Sequence, residues 1–266
     1  MATMTGNMLT RITPLILTFN EEANIRRTLE QLSWAKDIVV VDGGSTDTTL
    51  NILNEFPNVR IFENAFSFLA AQWNYGLKST EIRTEWVLAL DADYVLTEEL
   101  VEELTNLNPP LNVCGYRASF KYCVEGTVLR GGIYPPVTVL YRSAKAKYIQ
   151  DGHAHRVVVE GEIVRFIAPI HHDDRKSLAQ WFSAQVKYMT LETEKLLATP
   201  FMQLGYADRI RRLIVFAPFM MLFYCLFVRG NILDGKAGLF YSMQRATAEA
   251  ILSLMLLHAG LCGMKK

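Results

Sequence analysis

Strand-like and helix-like segments alternate through roughly the first third of this chain. Short apolar runs at 12–19, 38–41, 59–62 and 86–90 have the composition of buried strands, and the segments between them carry apolar residues at helical spacing. This alternation is typical of a parallel sheet with helical crossovers, and uniformly apolar runs suit strands that are covered on both faces. The sequence therefore predicts an α/β fold whose mainly parallel sheet is flanked by helices.

Polar side chains follow three of the predicted strands at the point where each strand ends. The segments are Thr18–Glu21, Asp42–Asp47 and Asp91–Asp93. In a parallel sheet, ligands bind beyond the carboxyl ends of the strands. We therefore expect the three segments to lie together at one edge of the sheet and to form a site.

Asp91 and Asp93 are the most informative of these side chains, because residues two apart in an extended chain point to the same side. Two converging carboxylates repel each other unless a cation lies between them. Mg²⁺ or Mn²⁺ suits such ligands and keeps room for phosphate oxygens. On these residues alone, the alternative is a solvated turn that happens to contain two aspartates.

The sequence excludes several other kinds of site. The Gly43–Ser45 turn is not part of a P-loop, because no G-x-x-x-x-G-K-[ST] segment occurs, and no G-x-G-x-x-G follows the first strand. The 27 Lys and Arg residues balance the 27 Asp and Glu residues, so no basic field favours a nucleic-acid partner. Asp42 is expected on the ligand, whereas Ser45 and Asp47 are expected to cap the following helix.

Three motifs, at Leu17–Glu22, Val40–Asp47 and Leu90–Asp93, together resemble those of family 2 glycosyltransferases with the GT-A fold. The chain is most similar to the branch of lipopolysaccharide-core β-glucosyltransferases and related polysaccharide enzymes. The resemblance implies a metal-dependent, inverting hexosyltransferase that uses a UDP-linked nucleotide-sugar donor and Mg²⁺ or Mn²⁺. It implies a hydroxyl of a cell-envelope glycan or of a lipid-linked molecule as the acceptor.

The resemblance also implies roles for individual residues. Asp91 and Asp93 correspond to the D-x-D metal-binding motif, and His172 would reach the metal or the diphosphate. The branch commonly has a glutamate directly after this motif, where the chain has Tyr94. The residues implied along the nucleotide-sugar are Thr18, Asn20, Glu21, Asp42, Gln72, Asn74 and Asp91.

Asp151 is the candidate general base, because an inverting transferase needs a carboxylate that takes a proton from the acceptor hydroxyl. The alternative interpretation of Asp151 and Gly152 is an Asp-Gly turn without chemistry. Arg156 stands where the branch has a glutamate after His155, and its guanidinium could instead bind the diphosphate of the nucleotide-sugar.

The segment Leu213–Val228 has sixteen residues without a charge and is flanked by arginines on both sides. As a helix it would be about 24 Å long, shorter than the roughly 30 Å hydrocarbon core of a bilayer, and Pro218 interrupts it. We therefore expect an interfacial or re-entrant helix that pairs with Ala246–Leu257 on a membrane surface. The alternative is a buried helical pair or a homo-oligomer interface.

Domain organisation and location follow from these segments. We expect a GT-A domain at 1–200, with a nucleotide-binding half at 1–110 and an acceptor half at 111–200, and a helical appendage at 201–266. The N-terminus lacks a secretory signal pattern, so we expect a cytoplasmic protein on the inner face of the cytoplasmic membrane. Alternative functions are a polyprenyl-phosphate glycosyltransferase and a non-catalytic membrane adaptor on a GT-A scaffold.

Overall fold

The structure is a computed structural model that describes residues 7–151 and 154–263, and only the backbone of residues 151, 154 and 155. The chain divides into two units. The first contains the chain up to Cys123 together with Tyr134–Arg175, and the second contains Val124–Ile133 together with the chain from Lys176 onward. The second unit begins before residue 200, where the sequence places the boundary, because the helix Leu178–Ala198 packs with the C-terminal helices.

Strands and helices are numbered here in chain order. The described strands are β1 (Ile12–Thr18), β2 (Ile38–Asp42), β3 (Val59–Glu63), β4 (Trp86–Asp91), β5 (Tyr94–Leu96), β6 (Val113–Ala118), β7 (Phe120–Val124), β8 (Thr127–Val128), β9 (Val137–Arg142), β10 (Ala146–Asp151), β11 (Ala154–Val159), β12 (Glu162–Arg165) and β13 (Ile170–His172). The described α-helices are α1 (Ile25–Glu30), α2 (Thr49–Leu53), α3 (Leu69–Ser79), α4 (Glu98–Asn106), α5 (Leu178–Ala198), α6 (Tyr206–Arg211), α7 (Phe216–Phe223) and α8 (Gly235–Leu261). Short 3₁₀ helices lie at Met8–Arg11, Ser143–Lys145, Phe201–Gln203 and Asn231–Asp234, and a π-helical turn lies at Tyr224–Val228.

A seven-stranded sheet in the order β12-β6-β9-β4-β1-β2-β3 organises the first unit. Strand β1 pairs in parallel with β2 and β4, and β2 pairs in parallel with β3, whereas β9 is antiparallel to both of its neighbours. The register places Thr18 beside Asp42 and Leu17 beside Asp91, so the carboxyl ends of β1, β2 and β4 adjoin. The predicted α/β fold, with a mainly parallel, helix-flanked sheet and a C-terminal helical segment, is confirmed.

Both faces of this sheet are covered, as the uniformly apolar strands predict. On β1, Ile16 packs in the cluster that contains residues of α1 and α4, whereas its neighbour Leu15 packs on the other face with Trp73 of α3. Gly76 lets α3 come close to β1, because a Cβ atom there would lie 2.7 Å from Leu15 Cδ1. Each fully buried aliphatic side chain stabilises the fold by about 1.5–3 kcal/mol, so the core holds the strand ends firmly.

A smaller sheet adjoins the end of β4. Strand β13 runs antiparallel to β5 and parallel to β7, which places His172 beside both Tyr94 and Tyr122. Because Ala92 and Asp93 connect β4 to β5, this sheet brings β13 to the end of β4. Strands β10 and β11 form a separate antiparallel pair.

Asn20, followed by Glu21 and Glu22, would suit the N-cap of a helix in sequence, but helix α1 begins only at Ile25. Asn20 has a φ of +56°, in the left-handed region that asparagine tolerates, and its side chain accepts a hydrogen bond from the backbone of Thr46 instead. By contrast, Thr97 caps α4, because its side chain accepts a hydrogen bond from the backbone N–H of Leu100.

Helices α5 to α8 form the second unit around four buried leucines, Leu196, Leu204, Leu252 and Leu256. Helix α5 starts with a capping box, in which Ser177 and Gln180 each accept a hydrogen bond from the other's backbone N–H. No single described helix has both the length and the hydropathy of a membrane span, whereas Phe216–Val228 and Asn231–Leu261, which meet at 73°, satisfy both criteria when taken together.

Buried ion pairs join α5, α6 and α8. Arg211 Nη1 lies 3.3 Å from Glu192 Oε1, and Arg211 Nε lies 3.1 Å from Glu249 Oε1. Both glutamates are buried, and Glu192 also pairs with Lys195 at 3.3 Å. Loss of Arg211 would therefore leave the charge of Glu249 uncompensated and cost about 3–5 kcal/mol. This network fixes how the helices of the second unit pack.

Candidate functional site

Asp42 organises the edge of the sheet where β1 and β2 end. Its buried Oδ2 accepts hydrogen bonds from the hydroxyls of Thr18 (2.8 Å) and Ser45 (2.6 Å). Its Oδ1 accepts hydrogen bonds from the backbone N–H groups of Gly44 (2.9 Å) and Ser45 (2.7 Å). A carboxylate bound by four donors is held rigidly, so Asp42 fixes the turn that follows β2.

The loop after β1 is tied to the loop after β2. The backbone N–H of Asn20 donates to Ser45 Oγ at 2.8 Å, and Asn20 Oδ1 accepts from the backbone N–H of Thr46 at 2.8 Å. The backbone N–H of Glu21 donates to Thr49 Oγ1 at 2.8 Å. The predicted nucleotide-binding residues of β1 and β2 therefore share one cross-linked pair of loops, and their contact with a nucleotide stays a prediction.

The two expected caps of α2 differ in what they do. Asp47 Oδ1 accepts a hydrogen bond from the backbone N–H of Thr49 at 3.0 Å, as the first turn of a helix requires. The hydroxyl of Ser45 donates to Asp42 instead, so the prediction of a capping role for Ser45 is wrong.

Gln72 and Asn74 on α3 both have engaged amides. Gln72 Nε2 donates to the carbonyl of Asn64 at 2.8 Å, and Gln72 Oε1 accepts from Asn64 Nδ2 at 3.0 Å. Asn74 Nδ2 donates to the carbonyl of Tyr148 at 2.9 Å, and Asn74 Oδ1 accepts from its backbone N–H at 3.0 Å. These bonds tie α3 to the end of β3 and to β10, and a contact of either amide with a nucleotide-sugar stays a prediction.

Asp91 ends β4, and Asp93 lies in the connection to β5. Asp93 Oδ2 lies 2.9 Å from His172 Nε2, and the two side chains are only 17% and 14% exposed. Burial lowers the pKa of His172, but the charge of Asp93 and its hydrogen bond outweigh burial, so the pKa lies above the ordinary value. The contact with Asp93 thus favours the charged form of the imidazole.

Three tyrosine rings surround the ring of His172. The centroid distances to His172 are 5.4 Å for Tyr94, 4.9 Å for Tyr122 and 4.6 Å for Tyr134. The hydroxyls of Tyr94 and Tyr134 lie 2.6 Å apart, and burial, followed by the charge of Asp91, raises the pKa of both. Because Tyr94 directly follows Asp93, a neutral hydroxyl pair thus lies next to the Asp91–Asp93 segment.

The backbone of the D-x-D segment is braced from two sides. The buried hydroxyl of Thr28 on α1 donates to the carbonyl of Ala92 at 2.7 Å. The backbone N–H of Asp173 donates to the carbonyl of Asp93 at 3.0 Å, and Arg27 Nη2 donates to the carbonyl of Asp173 at 2.7 Å. Helix α1 and the chain after β13 therefore fix the backbone from which the two carboxylates project.

The donor set fits a hard divalent cation that is shared with a phosphate. Among residues 7–151 and 154–263, no three or more His, Cys, Asp or Glu side chains are grouped so as to hold a metal ion. A cation of the Mg²⁺ type, however, usually takes one or two carboxylates and completes its shell with water and substrate phosphates, which Asp91 and Asp93 allow. His172 Nδ1 is buried without a hydrogen-bond partner in the described part of the chain, and a ligand role for His172 stays a prediction.

Two further predicted residues lie on the β10–β11 hairpin. The side chain of Asp151 lies outside the described residues, so its role as a base stays a prediction. Arg156 is exposed on β11 opposite Ile149, and its contact with a diphosphate also stays a prediction.

Sequence reasoning missed Thr28, Tyr122 and Tyr134. The alternation of Phe120 and Tyr122 does indicate a strand, but the neighbour of that strand depends on long-range pairing with β13. Tyr134 follows a glycine-rich loop and carries no pattern that would link it to a histidine 38 residues later. The side chains that surround the site are therefore visible only in the folded chain.

Comparison with known proteins shows what this chain is similar to. The glycosyl transferase family 2 model matches residues 15–131. An uncharacterized glycosyltransferase of Rickettsia typhi is 30% identical over 172 residues, which cover 60% of this chain and 57% of that protein. The lipopolysaccharide core biosynthesis glycosyltransferase LpsC of Rhizobium meliloti is 27% identical over 165 residues, which cover 57% of this chain and 58% of that protein. Both matches span less than two thirds of the relative's own length.

A solved structure is also similar to this chain, at a lower sequence identity. The crystal structure of S. aureus TarS 1-349 in complex with UDP-GlcNAc is 14% identical, with a TM-score of 0.49, and the match covers 96% of this chain and 92% of that chain.

Proposed function

We propose that this chain transfers a hexose from a UDP-linked nucleotide-sugar to an acceptor hydroxyl, with inversion at the anomeric carbon, because residues 15–131 match the glycosyl transferase family 2 model. The observation that carries the proposal is the position of Asp91 and Asp93 at the carboxyl end of β4, beside the ends of β1 and β2. The similarity to a lipopolysaccharide core biosynthesis glycosyltransferase supports a cell-envelope glycan or a lipid-linked molecule as the acceptor.

In this proposal Asp91 and Asp93 hold Mg²⁺ or Mn²⁺, with His172 either as a third ligand or as the partner that orients Asp93. When bound, such a cation offsets the negative charge of the departing diphosphate. The cross-linked loops after β1 and β2 receive the nucleoside, and their internal hydrogen bonds pre-organise them before the donor arrives.

The acceptor side requires a proton transfer. The acceptor oxygen attacks the anomeric carbon, the bond from that carbon to the diphosphate oxygen breaks, and the hydroxyl proton passes to a carboxylate, for which we propose Asp151. Arg156, on the same hairpin, would bind the departing diphosphate through its planar guanidinium.

We expect Asp151→Asn to lower kcat by about a hundredfold or more while leaving the KM for the nucleotide-sugar near that of the parent. The reason is that asparagine keeps the shape of the side chain but cannot accept the proton. Steady-state kinetics with a hydroxyl acceptor measure this loss. Near-normal turnover would remove Asp151 as the base and favour the polyprenyl-phosphate acceptor, which is already an anion and needs no base.

Thr28→Val is expected to raise the Mn²⁺ concentration required for half-maximal activity by about tenfold, because loss of a hydrogen bond that holds the metal-binding segment in place weakens metal sites by this order. Valine fills the same volume but leaves the buried carbonyl of Ala92 without its donor. Thr28→Ser, which keeps the hydroxyl, is the matched control and should behave like the parent. An unchanged metal activation curve for Thr28→Val would show that the brace does not act on the metal site.

A donor screen tests the proposed function itself. Each of several UDP-sugars is incubated with the protein, with and without Mn²⁺, and released UDP is measured. The proposal expects turnover of at least one UDP-hexose that stops when EDTA removes the metal. If no UDP-sugar is turned over under any metal condition, the transferase proposal fails.

A further inference from the structure

A row of large apolar side chains is exposed along α7 and the π-helical turn that follows it. We name this row the α7 stripe, and its members are Phe216, Phe219, Met220, Phe223, Tyr224, Phe227 and Val228. Each member is between 40% and 70% exposed. Successive members are alternately three residues and one residue apart, so that each has another member three or four residues away. The spacing defines one face of a helix, so the stripe is a continuous apolar surface about 18 Å long.

The rest of the second unit does not cover this surface. Helix α7 packs against α8, and both Ala217 on α7 and Cys225 on the π-helical turn are buried. Beyond the stripe, Ile232 (51% exposed) and Leu233 (69% exposed) extend the apolar surface toward α8. Soluble proteins rarely expose contiguous apolar surfaces of this kind unless a partner covers them.

Basic residues flank the stripe on both sides. Arg212 precedes it, and Arg229 and Lys236 follow it. Between residues 209 and 236 the acidic residue is Asp234, and its carboxylate already binds Arg130 at 3.2 Å. The surroundings of the stripe are therefore positively charged, which complements an anionic surface.

We propose that the α7 stripe inserts into the interfacial region of a bilayer that contains anionic lipids. A short apolar helix with an exposed aromatic face and basic residues at both of its ends can lie in the plane of a membrane with that face among the acyl chains. The arginine and lysine side chains meet the lipid phosphates. This inference uses only the second unit and does not rest on the proposed transfer reaction.

Vesicle flotation of the full chain tests the proposal. The parent protein should float with phosphatidylcholine vesicles that contain phosphatidylglycerol, and should float less with pure phosphatidylcholine or at high salt. Phe219→Ser combined with Phe223→Ser should lower the lipid partition coefficient about tenfold or more, because two exposed aromatic anchors are lost. The matched control is Leu111→Ser combined with Ile167→Ser, since both side chains are 92% exposed in the first unit, and it should bind like the parent.

Two checks keep the result decisive. Circular dichroism establishes that the stripe variant is folded, and sedimentation velocity without vesicles establishes its oligomeric state. Equal flotation of parent and stripe variant would overturn the proposal. It would also be overturned if the parent ignored vesicles while the variant changed from a dimer to a monomer, because the stripe would then be an interface with a second copy.

Discussion

Asp93→Asn is expected to lower kcat by about a hundred- to a thousandfold without unfolding the protein. Asparagine keeps the size of the side chain and an oxygen that can accept a hydrogen bond from His172 Nε2, which now lies 2.9 Å from Asp93 Oδ2. It loses the negative charge that a hard divalent cation needs. The effect should therefore appear in turnover and in metal affinity, with little change in the midpoint of urea unfolding.

The control for this prediction is a carboxylate of the same unit that lies away from the site. Asp37 forms an ion pair with Arg60 on the surface, and Asp37→Asn should leave turnover near that of the parent. Asp91→Asn should act like Asp93→Asn, and the double variant should lose less than the product of the two single losses, because both carboxylates serve one cation. Metal-dependent turnover at the parental rate in Asp93→Asn would contradict the metal site.

Asp42→Ala is expected to reduce the free energy of unfolding by about 2–4 kcal/mol, because the change leaves several donors without the buried carboxylate that accepts their hydrogen bonds. These donors are the hydroxyl of Thr18 and the backbone N–H groups of Gly44 and Ser45. Chemical denaturation followed by circular dichroism measures the loss. The turn after β2 should also lose its shape, so the KM for the nucleotide-sugar should rise.

Glu63→Ala is the matched control, since Glu63 ends the neighbouring strand in register with Asp42 but is exposed to solvent. Its free energy of unfolding should stay within about 0.5 kcal/mol of the parent. If Asp42→Ala unfolds at the same denaturant concentration as the parent, the four hydrogen bonds do not organise the edge of the sheet.

Much of the sheet is predictable from local sequence. The four apolar runs become β1 to β4 because strands buried on both faces need apolar side chains throughout. The order of these strands in the sheet cannot be read from any single apolar run. The alternation with helices does, however, indicate that neighbouring strands pair in parallel. The meeting of Asp42 with Thr18, and of Asp91 with Leu17, follows from that pairing.

The surroundings of the site depend on contacts that no local pattern specifies. Asn20 resembles a helix cap in sequence. In the structure its backbone is left-handed, and its side chain accepts a hydrogen bond from Thr46 in the loop after β2. His172 reaches Asp93 because β13 pairs with β5, and Tyr134 reaches His172 from a different part of the chain. Such placements arise from tertiary packing, which overrides local preference.

Calorimetric titration of UDP into the protein tests the central claim most directly, namely that Asp91 and Asp93 form a metal site for a nucleoside diphosphate. With Mn²⁺ present, UDP should bind to the parent. Removal of Mn²⁺ by EDTA, or the change Asp93→Asn, should weaken binding by at least about tenfold. UDP binding of equal strength with and without the metal, in both the parent and Asp93→Asn, would contradict the account.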